Sequence, residues 1–236
     1  MNRIMHFFSK FRSLFFSVAL LVLLASCLDD NDGYVNQPVE VAYVSIYHAV
    51  PDAPDFDIVV DNRVINVNPF DYSSYSGYLN FYTGNRNIRF NTSNAANSVV
   101  DTTFNFEDGK AYSLFAINRL SDVQVLLVVD SAAAPAEGKA MVRFVHLSPD
   151  APAFNVSVEG DNSALFAGKA FKDATQFKEI EGGTHSFVMS DAATGETVLS
   201  AKDVEMLPGR YYTIITRGFK NPPDGNTHVL SMEVLE

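Results

Sequence analysis

The sequence predicts an all-β protein built from two tandem β-sandwich domains. Three observations carry that reading. Apolar residues alternate with period two over short runs. Gly, Pro, Asn and Asp punctuate those runs at intervals that suit strands and tight turns. The second half of the chain also repeats the first: Val44-Ser45-Ile46-Tyr47-His48-Ala49-Val50-Pro51-Asp52-Ala53-Pro54-Asp55-Phe56-Asp57-Ile58-Val59-Val60 aligns with Val142-Arg143-Phe144-Val145-His146-Leu147-Ser148-Pro149-Asp150-Ala151-Pro152-Ala153-Phe154-Asn155-Val156-Ser157-Val158 at a constant offset of 98, with 8 identities in 17 positions. The register continues at offset 99, where Tyr78 falls opposite Phe177 and Gly84 opposite Gly183, and at offset 100 for Gly109-Lys110-Ala111-Tyr112 and Gly209-Arg210-Tyr211-Tyr212. Two small insertions account for the drift.

The chain divides accordingly. Residues 1–26 read as a signal peptide: Arg3, Lys10 and Arg12, with no acid, lead into an apolar run from Leu14 to Leu24. That run is shorter than the roughly 20 residues a membrane-spanning helix needs. Its end, Leu24-Ala25-Ser26-Cys27, resembles a bacterial lipobox, which makes Cys27 the expected site of lipidation and the membrane, reached through an N-terminal lipid, an expected partner. Residues 27–40 form an acidic, flexible tether. Its Leu28-Asp29-Asp30-Asn31-Asp32-Gly33 start resembles the export signal of Bacteroidetes lipoproteins, which implies an outer-membrane, cell-surface location, the periplasmic face being the alternative. Residues 41–130 are the first repeat, 131–139 a linker rich in small residues, and 140–236 the second repeat.

Within the first repeat, Val44, Ile46 and His48 share one strand face, and Phe56–Val60, Asn87–Asn91, Val99–Phe106, Tyr112–Asn118 and Val123–Val129 follow as strands. In the second, Val142, Phe144 and His146 share the corresponding face. Phe154–Val158, Phe177–Ile180, His185–Ser190, Glu196–Val204, Tyr211–Arg217 and Thr227–Val234 follow. Beyond the signal peptide there is no helical period of useful length.

The shared signature is His-x-x-Pro-Asp-Ala-Pro, then an aromatic six residues before a Gly, then Gly-x-x-Tyr. It resembles the bacterial domain-of-unknown-function family 4397, here in tandem over nearly all of residues 41–236. The resemblance implies immunoglobulin-like β-sandwiches in an envelope protein and transfers no active site.

Composition narrows the function. The chain has 28 acids against 17 bases, a net charge of −11, and removing residues 1–26 takes away three bases and no acid. An acidic surface without a basic stripe excludes a nucleic-acid binder. A single Cys allows neither an internal disulfide nor a thiolate zinc site. Asp52, Asp55, Asp57 and Asp61 have the residue type of calcium ligands, but the second copy has Ala153 and Asn155 in place of Asp55 and Asp57, so no metal and no cofactor is expected. Gly-x-Ser-x-Gly, His-Glu-x-x-His and phosphate-cradling loops are missing, and no catalytic residue is assigned.

The doubled motif, His48, Pro51, Asp52 and Pro54 with His146, Pro149, Asp150 and Pro152, reads as a structural corner. The prolines restrict the chain, Asp52 caps its own turn, and the imidazoles bond to backbone. A fold element must occur in every copy, whereas chemistry rarely needs two. The candidate binding loop is the aromatic stretch Phe70–Tyr82, through Tyr72 and Tyr75, because Tyr joins a rigid apolar face to a polar tip. The alternative places Tyr78 and Phe81 in the core and makes Tyr72 a packing residue like Phe171. The expected function is a lipid-anchored, non-enzymatic surface module that binds an extracellular protein or glycan, or otherwise an envelope spacer without a specific ligand.

Overall fold

The computed structural model of the protein describes residues 39–95 and 97–236. The expected signal peptide, Cys27 and nearly all of the tether lie outside the described residues.

The first repeat comprises β1 (Val41–His48), β2 (Phe56–Val60), β3 (Arg63–Val64), β4 (Tyr75–Tyr82), β5 (Gly84–Thr92), β6 (Ser98–Phe106), β7 (Ala111–Ile117) and β8 (Gln124–Val129). The second comprises β9 (Lys139–His146), β10 (Phe154–Val158), β11 (Phe166–Lys169), β12 (Lys178–Glu181), β13 (Gly183–Asp191), β14 (Thr197–Met206), β15 (Tyr211–Arg217) and β16 (Ser231–Leu235). Each repeat folds into two four-stranded sheets. The orders are β4-β1-β7-β8 and β3-β2-β5-β6 in the first, β12-β9-β15-β16 and β11-β10-β13-β14 in the second. The chain is an all-β pair of tandem sandwiches, as the period-two pattern predicts.

Each sandwich closes over its own core. In the first, Val44 and Ile46 of β1 and Leu114 of β7 meet Ile58 of β2 and Ile88 and Phe90 of β5. In the second, Val142, Phe144 and Ile214 meet Val156, Phe187 and Met189. Fully burying one such side chain contributes about 1.5–3 kcal/mol, so the alternating positions of these strands dominate stability.

The opposite faces of β1, β7, β9 and β15 are buried as well. Tyr47, Ala49, Phe115 and Ile117 of the first repeat pack with Val145, Leu147 and Ile215 of the second. The two sandwiches therefore dock face to face through the sheets that carry the parallel β1–β7 and β9–β15 pairs. A sheet covered on both sides needs side chains that tolerate burial at successive positions. Val142-Arg143-Phe144-Val145-His146-Leu147, every residue of it buried, is such a run. Residues 40–236 form one compact unit.

Two motifs of the sequence are explained by turns. In Gly109-x-x-Tyr112 the glycine has φ +68° and in Gly209-x-x-Tyr212 +81°, a left-handed conformation that a side chain would strain. The tyrosine hydroxyls then accept from backbone N–H groups five residues upstream: Glu107 N–H to Tyr112 at 3.2 Å and Leu207 N–H to Tyr212 at 2.9 Å. The Phe70–Tyr82 stretch, expected as a loop, is only partly one. From Tyr75 onward it is the edge strand β4, because it pairs antiparallel with β1.

Candidate functional site

The repeated His-x-x-Pro-Asp-Ala-Pro corner forms where β1 and β9 leave the sheet. His48 Nδ1 accepts from the Val50 N–H at 3.2 Å, which leaves the proton on Nε2, 3.4 Å from the Pro54 carbonyl. His146 Nε2 lies 3.0 Å from the Pro152 carbonyl. The rings stack on Phe56 and Phe154, with centroids 4.3 and 5.1 Å apart. Burial holds both imidazoles below their ordinary pKa, His48 down to about 4. Both are completely buried, so these are closed corners without access for a substrate.

The aspartates act differently from the expected cap on their own turn. Asp52 accepts from the Leu120 N–H at 2.7 Å, and Asp150 accepts from the Lys220 and Asn221 N–H groups at 2.7 and 2.9 Å. Each carboxylate ties its corner to the loop that follows the adjacent parallel strand, β7 or β15. Two of the other acids weighed as calcium ligands are engaged separately, Asp57 by Ser93 and Asn94 and Asp61 by Arg86 and Asn87.

The structure parts the two tyrosines of the candidate loop. Tyr72 is half-buried at one end of the seam between the repeats. It stacks on His228 with centroids 4.1 Å apart and lies under the Arg217 guanidinium at 5.1 Å. His228 Nδ1 in turn donates to the Pro51 carbonyl at 2.6 Å. Tyr72 is thus a packing residue that joins the first repeat to the second, which corrects its expected place on an exposed loop. Tyr75 lines a cleft at the other end of the seam.

That cleft encloses about 370 Å³ between Tyr75, Tyr78 and Phe115 of the first repeat and Arg143, Phe177, Tyr211 and Thr213 of the second. Tyr78 and Tyr211 stand at its mouth, 49% and 39% exposed. Tyr211 meets Phe177 edge-on, centroids 5.6 Å apart. Tyr78, which the alternative reading places in the core, instead turns its hydroxyl to Asp130 at 2.7 Å. The floor is polar. Arg143, buried on β9, donates from Nε to Thr213 Oγ1 at 3.0 Å and from Nη2 to Ser113 Oγ at 2.8 Å, forms an ion pair with Asp130, and lies 4.6 Å over the Phe177 ring. Ser113 donates to Asp130 at 2.8 Å and accepts from Ser45 at 3.1 Å. Burial and the neighbouring Asp130 carboxylate push the Tyr78 hydroxyl pKa upward, so it remains a neutral donor.

Such an arrangement can hold a ligand: aromatic faces for apolar contact, fixed polar groups for orientation. Its polar floor is internally satisfied and rigid. Sequence reasoning reached Tyr75 but missed Arg143, Asp130, Phe177 and Tyr211. A signal was present, since Arg143 stands where the first repeat has Ser45, and Tyr211 where it has Ala111. Departures between copies at positions facing away from the sandwich core mark the seam.

A family model described as "Domain of unknown function (DUF4397)" matches residues 42–157. No curated protein matches the chain. Solved structures similar to it include the Bacillus anthracis TIE protein, at 12% identity and TM-score 0.26, over 76% of this chain and 34% of that one. This chain thus spans about a third of the length of the TIE protein. Another is CBMbc (family CBM26) from Eubacterium rectale Amy13K, in complex with maltoheptaose, at 12% identity and TM-score 0.25, covering 77% and 98% of the two chains. A third is a streptococcal virulence factor described by its α-glucan binding, at 13% identity and TM-score 0.23, covering 74% and 92%.

Proposed function

Starting from a chain whose residues 42–157 belong to the DUF4397 family, we propose that the protein is a non-enzymatic binding module, lipid-anchored at the outer face of an outer membrane, that takes up an extracellular glycan at the seam of its two repeats. The observation that carries the reading is the cleft itself: about 370 Å³, rimmed by the exposed Tyr78 and Tyr211 over a fixed polar floor. That volume suits one or two sugar rings or a single protruding side chain. A spacer would gain length by placing its sandwiches end to end. Here they dock sheet on sheet, which shortens the molecule and creates a seam, so the binding reading is favoured.

The cleft is tested with the purified protein on a panel of neutral oligosaccharides. The double variant Tyr78→Ala/Tyr211→Ala is expected to weaken binding at least about tenfold. Because Tyr78→Ala also takes a donor from the buried Asp130 carboxylate, its unfolding midpoint should fall, and binding is compared where both proteins remain folded by circular dichroism. Binding that survives the double variant, or no binding to any member of the panel, overturns the glycan reading.

The anchor rests on Leu24-Ala25-Ser26-Cys27 and the acidic residues that follow. Two or more acyl chains hold a protein stably on a bilayer where one does not. Cys27→Ala should leave the protein unprocessed or release it from membranes. Protease applied to intact cells should liberate peptides from residues 41–236 of the unmodified protein while a periplasmic control stays intact. Protection of those peptides would contradict surface display, and a Cys27→Ala protein that is cleaved to the mature size yet still requires detergent for extraction from membranes would contradict lipidation.

A further inference from the structure

The first repeat has a second concavity, away from the seam. The sandwich is open between the edge strands β3 and β4, because β3 is only two residues long and leaves the end of β4 uncovered. The groove holds about 520 Å³; its floor is Val60, Ile65 and Phe81. Its rim is fixed by the β2–β3 hairpin. Asp61 and Asn62 have φ +46° and +68°, the left-handed pair that a two-residue hairpin turn of the primed type requires. Arg86 clamps that hairpin, donating to Asp61 at 2.8 Å and to the Thr83 carbonyl at 2.7 Å, while Arg89 donates to Asn62 at 2.9 Å. The Arg86 guanidinium holds the Asp61 carboxyl below its usual pKa, so this clamp stays charged.

Three groups at the mouth remain open. Arg63 and Asn80 are exposed, the Tyr82 ring is 67% exposed, and among the described residues none of the three side chains has a hydrogen-bond or ion-pair partner. The corresponding edge of the second repeat is closed by its own chain. Glu179, opposite Asn80, accepts from the Ala136 N–H of the linker at 2.8 Å, and Glu181, opposite Tyr82, pairs with Lys139. The fold does not require an open aromatic and an unpaired guanidinium at this edge, since the second copy folds without either. With Arg63 and Arg86 against Asp61 the groove carries local positive charge in a chain of net charge −11.

We propose that this groove of the first repeat binds a carboxylate-bearing sugar, a uronate or a nonulosonate, as a site separate from the seam cleft. Arg63 takes the carboxylate, for which a planar guanidinium offers paired donors. Tyr82 supplies the face for the ring, and Asn80 and the rim carboxylate of Asp61 meet hydroxyl groups. An acidic peptide would engage Arg63 alone and leave the ring and the amide idle, which is why the sugar is the better occupant.

The test measures binding of two probes to the detergent-solubilised full-length protein: a galacturonate tetrasaccharide and N-acetylneuraminyllactose. The fully methyl-esterified tetrasaccharide serves as the uncharged control and pentaglutamate as the anion without a sugar. At least one acidic sugar should bind, and Arg63→Gln and Tyr82→Ala should each weaken it about tenfold or more. Lys202→Gln removes the same charge from an exposed position of the second repeat and should leave the affinity unchanged. All these positions are exposed, so matching unfolding midpoints will confirm intact folding. The proposal is overturned if neither acidic sugar binds, if the ester or pentaglutamate binds equally well, or if Arg63→Gln has no more effect than Lys202→Gln. Failure of the seam cleft to bind neutral oligosaccharides has no bearing on these outcomes.

Discussion

Replacing Arg143 by Met should destabilise the protein by about 3–5 kcal/mol, the cost of removing one partner from a buried ion pair. The Arg143 side chain is 2% exposed and that of Asp130 5%. Without the guanidinium the Asp130 carboxylate keeps donors from Ser113 and Tyr78 but loses the counter-charge it pairs with. The Ser113 and Thr213 hydroxyls each lose a donor as well, and Phe177 loses the cation over its ring. The effect comes from the stranded charge and not from lost attraction. The double variant Arg143→Met/Asp130→Leu should therefore recover most of the loss, because exchanging a whole buried pair for apolar side chains is often close to neutral. Urea unfolding of the two variants and the parent checks this. A single variant as stable as the parent, or a double variant less stable than the single, would contradict the account.

Acid should weaken the fold well before its carboxylates titrate. His48 and His146 lie completely buried in the two corners. Burial is the main cause of their lowered pKa values, opposed by the backbone acceptors Pro54 and Pro152 and by the more distant Asp71 and Asp173, with His228 adding to the lowering at His48. The Nδ1 atoms explain why relief is small. That of His48 already accepts from Val50, and a proton there would break the bond; that of His146 has no partner among the described residues.

An unfolded imidazole takes up a proton near pH 6.5, whereas folded His48 does so only near about 4. Between those values the unfolded chain binds more protons, so stability is full above about pH 6.5 and declines as the pH falls toward 4. For His48 the loss reaches about 3 kcal/mol, and His146 acts in the same direction. Urea midpoints at pH 7.5, 6.0 and 5.0 should fall steadily, over a range in which ordinary carboxylates stay ionised. A midpoint that is flat or rises on acidification over this range would show that the corners admit the charged imidazole.

Much of this architecture is legible in the residues. Period-two apolar runs fix which faces of β1, β2, β5, β7 and their counterparts enter the two cores, because a strand must turn alternate side chains to opposite sides. The repeat fixes that there are two such units, and the doubling of His48 and His146 marks the corners where β1 and β9 leave their sheets. The edge strands were harder to read. β3 and β11 are too short for a period, and the tyrosines of β4 obscure its alternation because several of them are half-exposed at an edge.

Local pattern determines each sandwich by itself, through the periodic burial of its own apolar residues. Only the tertiary structure decides that the sandwiches dock face to face, because the seam joins residues about a hundred positions apart whose second buried face looks like an irregularity in the alternation. Tyr47, Phe115, Arg143 and Ile215 all sit on the face that a solitary sandwich would turn to water. The same docking draws Tyr72 into packing, leaves Tyr75 and Tyr78 lining a cleft, and gives Arg143 its counter-charge. The proposed anchor at Cys27 rests on sequence alone, and both cleft and groove arise from where one copy of the repeat meets, or departs from, the other.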